Sequence, residues 1–86
     1  MTVQGTGGTG SGLANIGVYV TGASALITSG GGNVSVTGQG GNGATSGGFN
    51  YGVNTEAGGV IKAGGSGTVT VVGTGGSGNG QYNFGV

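Results

Sequence analysis

The sequence repeats itself, and this repeat restricts the possible folds more than any other feature of the chain. The segment MTVQGTGGTGSG returns as VSVTGQGGNGAT and again as VTVVGTGGSGNG, and each copy is followed by a related block, ANIGV, FNYGV or YNFGV. The equivalent valines Val3, Val36 and Val71 are 33 and 35 residues apart. Self-similarity at a period of roughly 20 to 50 residues is typical of architectures in which successive units stack on one another.

The repeat divides the chain, taken as one domain, into two complete units and part of a third. Unit 1 comprises residues 1–33, unit 2 residues 34–68 and unit 3 residues 69–86. A further block recurs in the first two units, as LITSGGG and VIKAGGSG. The two-residue difference in spacing is assigned to the glycine-rich stretch 38–48, where an insertion costs little backbone order.

Local patterns within each unit predict strands and no helix. The segments VSVT and VTVV are rich in β-branched residues, which suit a pleated surface. FNYGVN alternates large apolar residues with polar residues or glycine, and GVIKA is a short apolar run bounded by glycine. Glycine at 28 of the 86 positions opposes helix, at roughly 1 kcal/mol for each interior glycine. Stretches of Gly, Ser, Thr and Asn between the strands predict turns.

Three short strands per unit, at nearly constant spacing, predict an all-β fold of the parallel β-solenoid (β-helix) type. Each unit of about 34 residues would form one coil, and equivalent strands of successive coils would pair in parallel about 4.8 Å apart. The chain would then contain about 2.5 coils.

Equivalent residues of successive coils would lie on top of one another, and two-residue alternation predicts which of them point inward. The predicted interior columns are Met1, Val34 and Val69; Val3, Val36 and Val71; Ala14, Phe49 and Tyr82; Ile16, Tyr51 and Phe84; and Val18, Val53 and Val86. The alternate residues are expected to face outward or into turns, and they are Thr2, Ser35 and Thr70 together with Asn15, Asn50 and Asn83. The three asparagines are also predicted to hydrogen-bond along the stack as a polar ladder.

The third strand is expected to turn Ile61 inward, because Lys62 then faces the solvent and is spared burial. Its counterpart in unit 1 is either Leu26 or Ile27. Ungapped alignment favours Leu26, whereas the motif match, with a slip of one residue, favours Ile27.

Composition excludes most chemistry. Glu56 is the only acidic residue and Lys62 the only basic one, and the chain has no histidine, cysteine or proline. We therefore expect no enzyme activity, no metal or cofactor site and no nucleic-acid partner, because paired carboxylates, imidazole or thiolate ligands and basic patches are all missing. The chain contains no apolar run of about 18 residues, so we do not expect membrane insertion. The N-terminus also lacks the features of a signal peptide, so either an export signal has been removed or the chain is part of a longer array.

Two features have an ordinary structural interpretation beside a functional one. The glycine-rich segments starting at Gly5 and Gly73 superficially resemble phosphate-binding loops, but neither the P-loop lysine nor a following helix is present, so turns are favoured. The tyrosines Tyr19, Tyr51 and Tyr82 are candidates for a sugar-stacking platform. Only Tyr19 has outward parity, which favours core packing for the other two.

The strings ITSGGGNVSVTGQGG, FNYGV and VIKAGGSGTVTVVGTGG resemble the glycine-rich β-strand repeats of very large exported bacterial proteins, and they are similar to adhesins of the filamentous-haemagglutinin type. The resemblance extends over essentially the whole chain. It implies a parallel β-helix in a secreted or surface protein with structural or adhesive work and no catalytic residues. Arrays in that family run to many more coils than this chain contains.

A stack this short is expected to associate through its ends. Repeat arrays normally need about three or more units and polar capping repeats, and this chain has two charged residues and no proline with which to block an open edge. The predicted function is a building unit of an extracellular fibre, sheath or adhesin stalk, secreted by a bacterium, with other copies of itself as head-to-tail partners. The alternatives are a surface adhesin or ice- or glycan-binding module, and an enzyme on a β-helix scaffold, for which the required carboxylates are missing.

Overall fold

The structure, a computed structural model, describes residues 1–10, 12–42, 48–78 and 80–86. These residues form seven strands and no helix. The strands are β1 (Thr2–Thr6), β2 (Val18–Thr21), β3 (Leu26–Thr28), β4 (Val34–Gln39), β5 (Val53–Glu56), β6 (Val60–Lys62) and β7 (Val69–Thr74). The insertion predicted within 38–48 falls partly on residues 43–47, which lie outside the described residues.

The strands form three small sheets, and every pairing in them is parallel. The first sheet has the order β1-β4-β7, the second pairs β2 with β5, and the third pairs β3 with β6. Each pairing therefore joins strands of different units, and none joins two strands of one unit. The prediction of an all-β chain with parallel pairing is confirmed.

Equivalent residues of the three units pair in register. The repeat alignment places Val3, Val36 and Val71 in one column, and the structure pairs them across β1, β4 and β7. In the third sheet Ile27 pairs with Ile61, and both pack against the core. Leu26 pairs with Val60 and is exposed, so the motif match was the correct guide to unit 1 and the ungapped alignment was wrong.

The core lies mainly in unit 2 and on its unit 1 side. Its buried apolar members are all valines: Val18, Val20, Val34, Val36 and Val53. Branched side chains that are stiff at χ1 lose little freedom on burial in a pleated sheet, which suits so small an interior. Val20 was not among the predicted interior residues.

In the first sheet, burial within a column is greatest for the member that has a unit on both sides, whereas Val18 and Val20 in the second sheet are buried with a unit on one side only. Val34 is 1% exposed, whereas its unit 3 partner Val69 is 42% exposed. Met1, in the same predicted column, is also exposed and precedes β1. Val86 is exposed, although it is placed like the buried Val53. The Cγ2 of Val86 lies close to Gly73 in unit 3, and the Cγ2 of Val53 lies similarly close to the equivalent Gly38 in unit 2. These side chains are therefore placed like their buried equivalents and differ in what lies beyond them.

Glycine pairs bring the first strand of each unit against the following block at backbone distance. A Cβ added to Gly38 would lie 2.0 Å from the carbonyl oxygen of Gly52. The same contact recurs in the other units, where the distance is 1.9 Å for Gly5 and 1.8 Å for Gly73. No side chain fits between the two segments, and the glycines at these positions are required for packing.

The predicted side-chain orientation is wrong for the start of the second repeated block, which reads ANIGV, FNYGV and YNFGV in the three units. Asn50, expected to face outward or into a turn, is 0% exposed, whereas Phe49 and Phe84, expected inside, are 40% and 55% exposed. Ala14 and Tyr82 are exposed as well, and Ile16 and Tyr51 are only half-buried.

The physical reason is that this block is not an extended strand. Ala14, Phe49 and Tyr82 have φ of 63°, 59° and 64°, in the left-handed region, so the two-residue alternation of side chains does not apply to them. The residue after each of them, an asparagine, is turned toward the interior instead. Alternation begins again at β2 and β5, where Val18 and Val53 point inward.

Candidate functional site

The candidate functional surfaces are the two outer faces of the stack, where β1 and β7 are edge strands. We call them the β1 face, formed by β1 with residues 12–18, and the β7 face, formed by β7 with residues 80–86. Among the described residues no strand pairs with the outer edge of β1 or of β7. Large apolar side chains are exposed near these faces and on the strands beside them: Met1, Leu13, Leu26, Val60, Val69, Val72, Tyr82, Phe84 and Val86.

The interface between units repeats bond for bond inside the chain. From unit 1 to unit 2, the N–H groups of Gly17 and Val18 donate to the carbonyls of Tyr51 and Gly52 at 3.0 and 2.9 Å. From unit 2 to unit 3, Gly52 N–H donates to the Phe84 carbonyl at 3.0 Å. Val53 N–H likewise donates to the Gly85 carbonyl at 2.8 Å. Each face is thus one half of an interface that the chain already makes twice.

The three equivalent asparagines form a hydrogen-bonded ladder along the stack. The backbone N–H of Asn15 donates to Asn50 Oδ1 at 3.0 Å, and the backbone N–H of Asn50 donates to Asn83 Oδ1 at 3.1 Å. The Nδ2 of Asn15 also donates to Asn50 Oδ1, at 3.1 Å. The sequence thus predicted a ladder of these residues, and the structure places its central member inside the molecule.

The side-chain amides also close the glycine-rich loop of their own unit. Asn15 Nδ2 donates to the Gly12 carbonyl at 3.1 Å, and Asn83 Nδ2 donates to the Gly80 carbonyl at 3.0 Å. Each of these amides therefore binds both its own loop and the neighbouring unit. Side-chain amides held in this way favour one specific arrangement of the chain.

Four aromatic rings form two short rows on the outside of units 2 and 3. Phe49 stacks on Tyr82 with centroids 5.3 Å apart, and Tyr51 stacks on Phe84 at 5.9 Å. The rows meet edge to face, with interplanar angles of 77° and 70°. Unit 1 carries Ala14 and Ile16 at the equivalent positions. From the sequence, these aromatic residues were predicted to lie in the core. They form an outer surface because Phe49 and Tyr82 have left-handed backbone conformations, which the sequence did not indicate.

The acidic residue of the chain links units 1 and 2 at the second sheet. The Tyr19 hydroxyl on β2 donates to Glu56 Oε1 on β5. Asn54 Nδ2 contacts Glu56 Oε2 at 3.4 Å. The hydrogen bond to Glu56 is the main cause that raises the pKa of Tyr19 above its ordinary value of 10.0, and the charge of Glu56 acts in the same direction. Tyr19 has the outward placement predicted for it, and Lys62 is exposed.

Residues suited to holding a metal ion are not clustered anywhere in the described part of the chain. Among residues 1–10, 12–42, 48–78 and 80–86 there is also no helix with the length and apolar character needed to cross a bilayer. No protein-family model matches this chain, and neither a curated protein nor a solved structure matches it. The geometry of the two faces is therefore the basis for a functional proposal.

Proposed function

We propose that this chain is a self-assembling structural protein that acts as a building unit of an extracellular fibre, sheath or adhesin stalk. Its units are the coils of a parallel β-solenoid, and copies stack head to tail so that the β7 face of one copy covers the β1 face of the next. The role is mechanical and requires no catalysis, cofactor or metal.

The observation that carries the proposal is the difference between covered and uncovered members of one column. Val36 is 0% exposed between two units, whereas Val3 and Val71, which pair with it, are only partly buried. Another copy on each face would bury these valines and pair the free edges of β1 and β7. Full burial of an exposed apolar side chain contributes about 1.5–3 kcal/mol, so each of these partly buried valines would contribute less than that. Exposed strand edges are known templates for association.

The arrangement of the sheets favours the solenoid form of the stack. Units 1 and 2 each contribute one strand to the first, second and third sheets in that order, and equivalent strands pair in register. The chain therefore follows the same path twice. Parallel stacking of this kind extends by adding units without changing those already present.

The extracellular, bacterial setting rests on the resemblance to glycine-rich repeats of exported adhesins. A fibre outside the cell also suits a chain with one acidic and one basic residue, which offers little charge repulsion between copies. The same composition inside a cell would risk association with other exposed strand edges.

Electron microscopy and fibre diffraction of the 86-residue chain test the proposal. We expect thin unbranched filaments with a meridional spacing near 4.8 Å. Val36→Asp puts an unpaired charge in the interior and should abolish the filaments, whereas the matched variant Thr37→Asp, at an exposed neighbouring position, should keep them. A folded monomer of 7.8 kDa that sediments unchanged at high concentration would contradict self-assembly.

A second candidate function, glycan binding, is favoured by the exposed aromatic rows. Aromatic faces are suited to contacts with the apolar faces of other molecules, and Phe49, Tyr82 and Phe84 are all at least 40% exposed. Retention of the chain on insoluble polysaccharide would support this function if Phe49→Ala abolished the retention while filaments still formed. Equal retention of the unsubstituted chain and of Phe49→Ala would count against glycan binding by the aromatic rows.

A further inference from the structure

The asparagine ladder has a direction. In both internal interfaces the lower-numbered unit provides the backbone N–H and the higher-numbered unit provides the Oδ1 acceptor, as in Asn15 to Asn50 and Asn50 to Asn83. In the described part of the chain, no ladder bond runs the other way, from a backbone N–H of a later unit to the asparagine Oδ1 of an earlier unit. A stack built by this rule has one donor end and one acceptor end.

The two ends of the ladder are complementary. Asn83 uses its Oδ1 for Asn50 and its Nδ2 for Gly78 and Gly80, which leaves its backbone N–H without a partner among the described residues. Asn15 uses its Nδ2 for Asn50, Gly10 and Gly12, and within the same residues its Oδ1 accepts no hydrogen bond. The β7 face therefore offers a donor where the β1 face offers an acceptor.

We infer that Asn15 and Asn83 determine the direction and register in which copies stack, through a bond from the backbone N–H of Asn83 to Asn15 Oδ1 of the next copy. This inference rests on the proposed function and names the contact that specifies it. The bond continues the internal ladder by one step, so its partner is a second copy of this chain.

The opposite orientations are disfavoured for a simple reason. Two β1 faces brought together would place one Asn15 Oδ1 acceptor against another, and the Nδ2 donors are already engaged in their own loops. Two β7 faces would place the Asn83 N–H donors against each other. A polar group buried without a partner is strongly unfavourable, so each mismatch opposes the wrong orientation. Parallel pairing of β7 with β1 is also lost in these arrangements.

Such a contact is heterologous, because the two surfaces that meet are different. A heterologous contact that does not close into a ring produces an open filament. The donor-to-acceptor rule therefore gives each filament two different ends and gives every copy in it the same direction.

Engineered cysteines report this direction, since the chain contains none of its own. Thr2, Ser35 and Thr70 pair in register, so head-to-tail stacking places Thr70 of one copy beside Thr2 of the next, about 4.8 Å away and within reach of a disulfide. We expect Thr2→Cys alone and Thr70→Cys alone to give no covalent dimers on oxidation. An equimolar mixture of the two should give mixed dimers.

The other outcomes separate the two proposals. Dimers of either single variant with itself would overturn the direction inferred here while leaving self-assembly intact. Filaments without mixed dimers would overturn the register. A chain that stays monomeric by sedimentation would overturn self-assembly, and with it this inference.

A matched pair of substitutions tests the asparagines themselves. Asn15→Ala and Asn83→Ala remove the same side chain from opposite ends of the ladder. Only Asn15→Ala removes an atom of the junction, because alanine keeps the backbone N–H at position 83. We expect Asn15→Ala to raise the critical concentration for assembly about five- to tenfold above that of Asn83→Ala. Equal critical concentrations would assign both side chains to their own units and overturn the inference.

Discussion

The side chains of Tyr19 and Glu56 join units 1 and 2, in addition to the backbone pairing of β2 with β5. They lie on the outer side of the second sheet, on neighbouring strands, and the phenol donates to the only carboxylate side chain in the sequence. Because an ionised phenol cannot donate this bond and would lie beside a negative charge, the folded state favours the protonated phenol. This pair gives the fold its one identified response to pH.

The sign of that response is defined by the raised pKa of Tyr19. Its contribution to stability is fully present below the unfolded value of 10.0 and is lost as the pH rises through the higher folded value. In a chain carrying Tyr51→Phe and Tyr82→Phe, the absorbance of phenolate should follow Tyr19 alone. Glu56→Gln in that background should lower the titration midpoint toward 10.0, and an unchanged midpoint would contradict the link to Glu56.

Single residues also mark the limit of what the sequence could predict. Alternation in FNYGV placed Phe49 inside and Asn50 outside, and the structure has the reverse. Alternation holds only for extended backbone, and the positive φ of Phe49 has no signal in the sequence because glycine, the residue that favours it, is absent from that position. The matching of repeated blocks, by contrast, correctly predicted the columns of the first two sheets, and in the third sheet the motif match with its slip of one residue was correct.

At the scale of strands and segments, glycine serves packing as well as turns. The sequence interpretation assigned the glycine-rich stretches to turns, whereas Gly38 lies at the end of β4 against the backbone of Gly52. The strands themselves were predictable, because β-branched residues on alternate positions identify a half-buried strand. The close approach of the two backbone segments could not be predicted, because it depends on contacts between segments that are distant in sequence.

The substitution Gly38→Ala should therefore destabilise the fold strongly. Its Cβ would meet Gly52 O at 2.0 Å and Val53 Cγ2 at 2.7 Å, so β4 and the segment before β5 would have to separate. We expect the free energy of unfolding to fall by about 3 kcal/mol or more, measured by chemical denaturation. The matched control is Gly30→Ala, where an added Cβ has no neighbour within 4 Å, and its effect should stay within about 0.5 kcal/mol. Similar losses for both would refute the packing role.

At the scale of the molecule, stability is distributed unevenly from the middle to the faces. The Cα atoms extend over 44 × 21 × 15 Å, and all five buried core valines belong to units 1 and 2. The strand β4 is paired on both sides, whereas β1 and β7 are each paired on one. Local opening is therefore expected to begin at the faces.

Amide hydrogen exchange should follow this order. In dilute, unassembled chain, amides of β4 should exchange more slowly than those of β1 and β7. On assembly, the protection of β1 and β7 should rise to the level of β4, while amides near Gly30, which lies in an exposed bend, should stay unprotected and serve as the internal control. Protection that spreads to the whole chain equally, or that leaves β1 and β7 unchanged, would contradict stacking through these faces.

The outward positions of the first sheet have a practical consequence. Thr2, Ser35 and Thr70 lie side by side on neighbouring strands of the first sheet, and none of them belongs to the core cluster. A chemical group attached at this position in every unit would recur about every 4.8 Å along the assembly. In the proposed filament, the strand spacing would therefore set the distance between attached groups, and the identity of the groups could be changed without changing that distance.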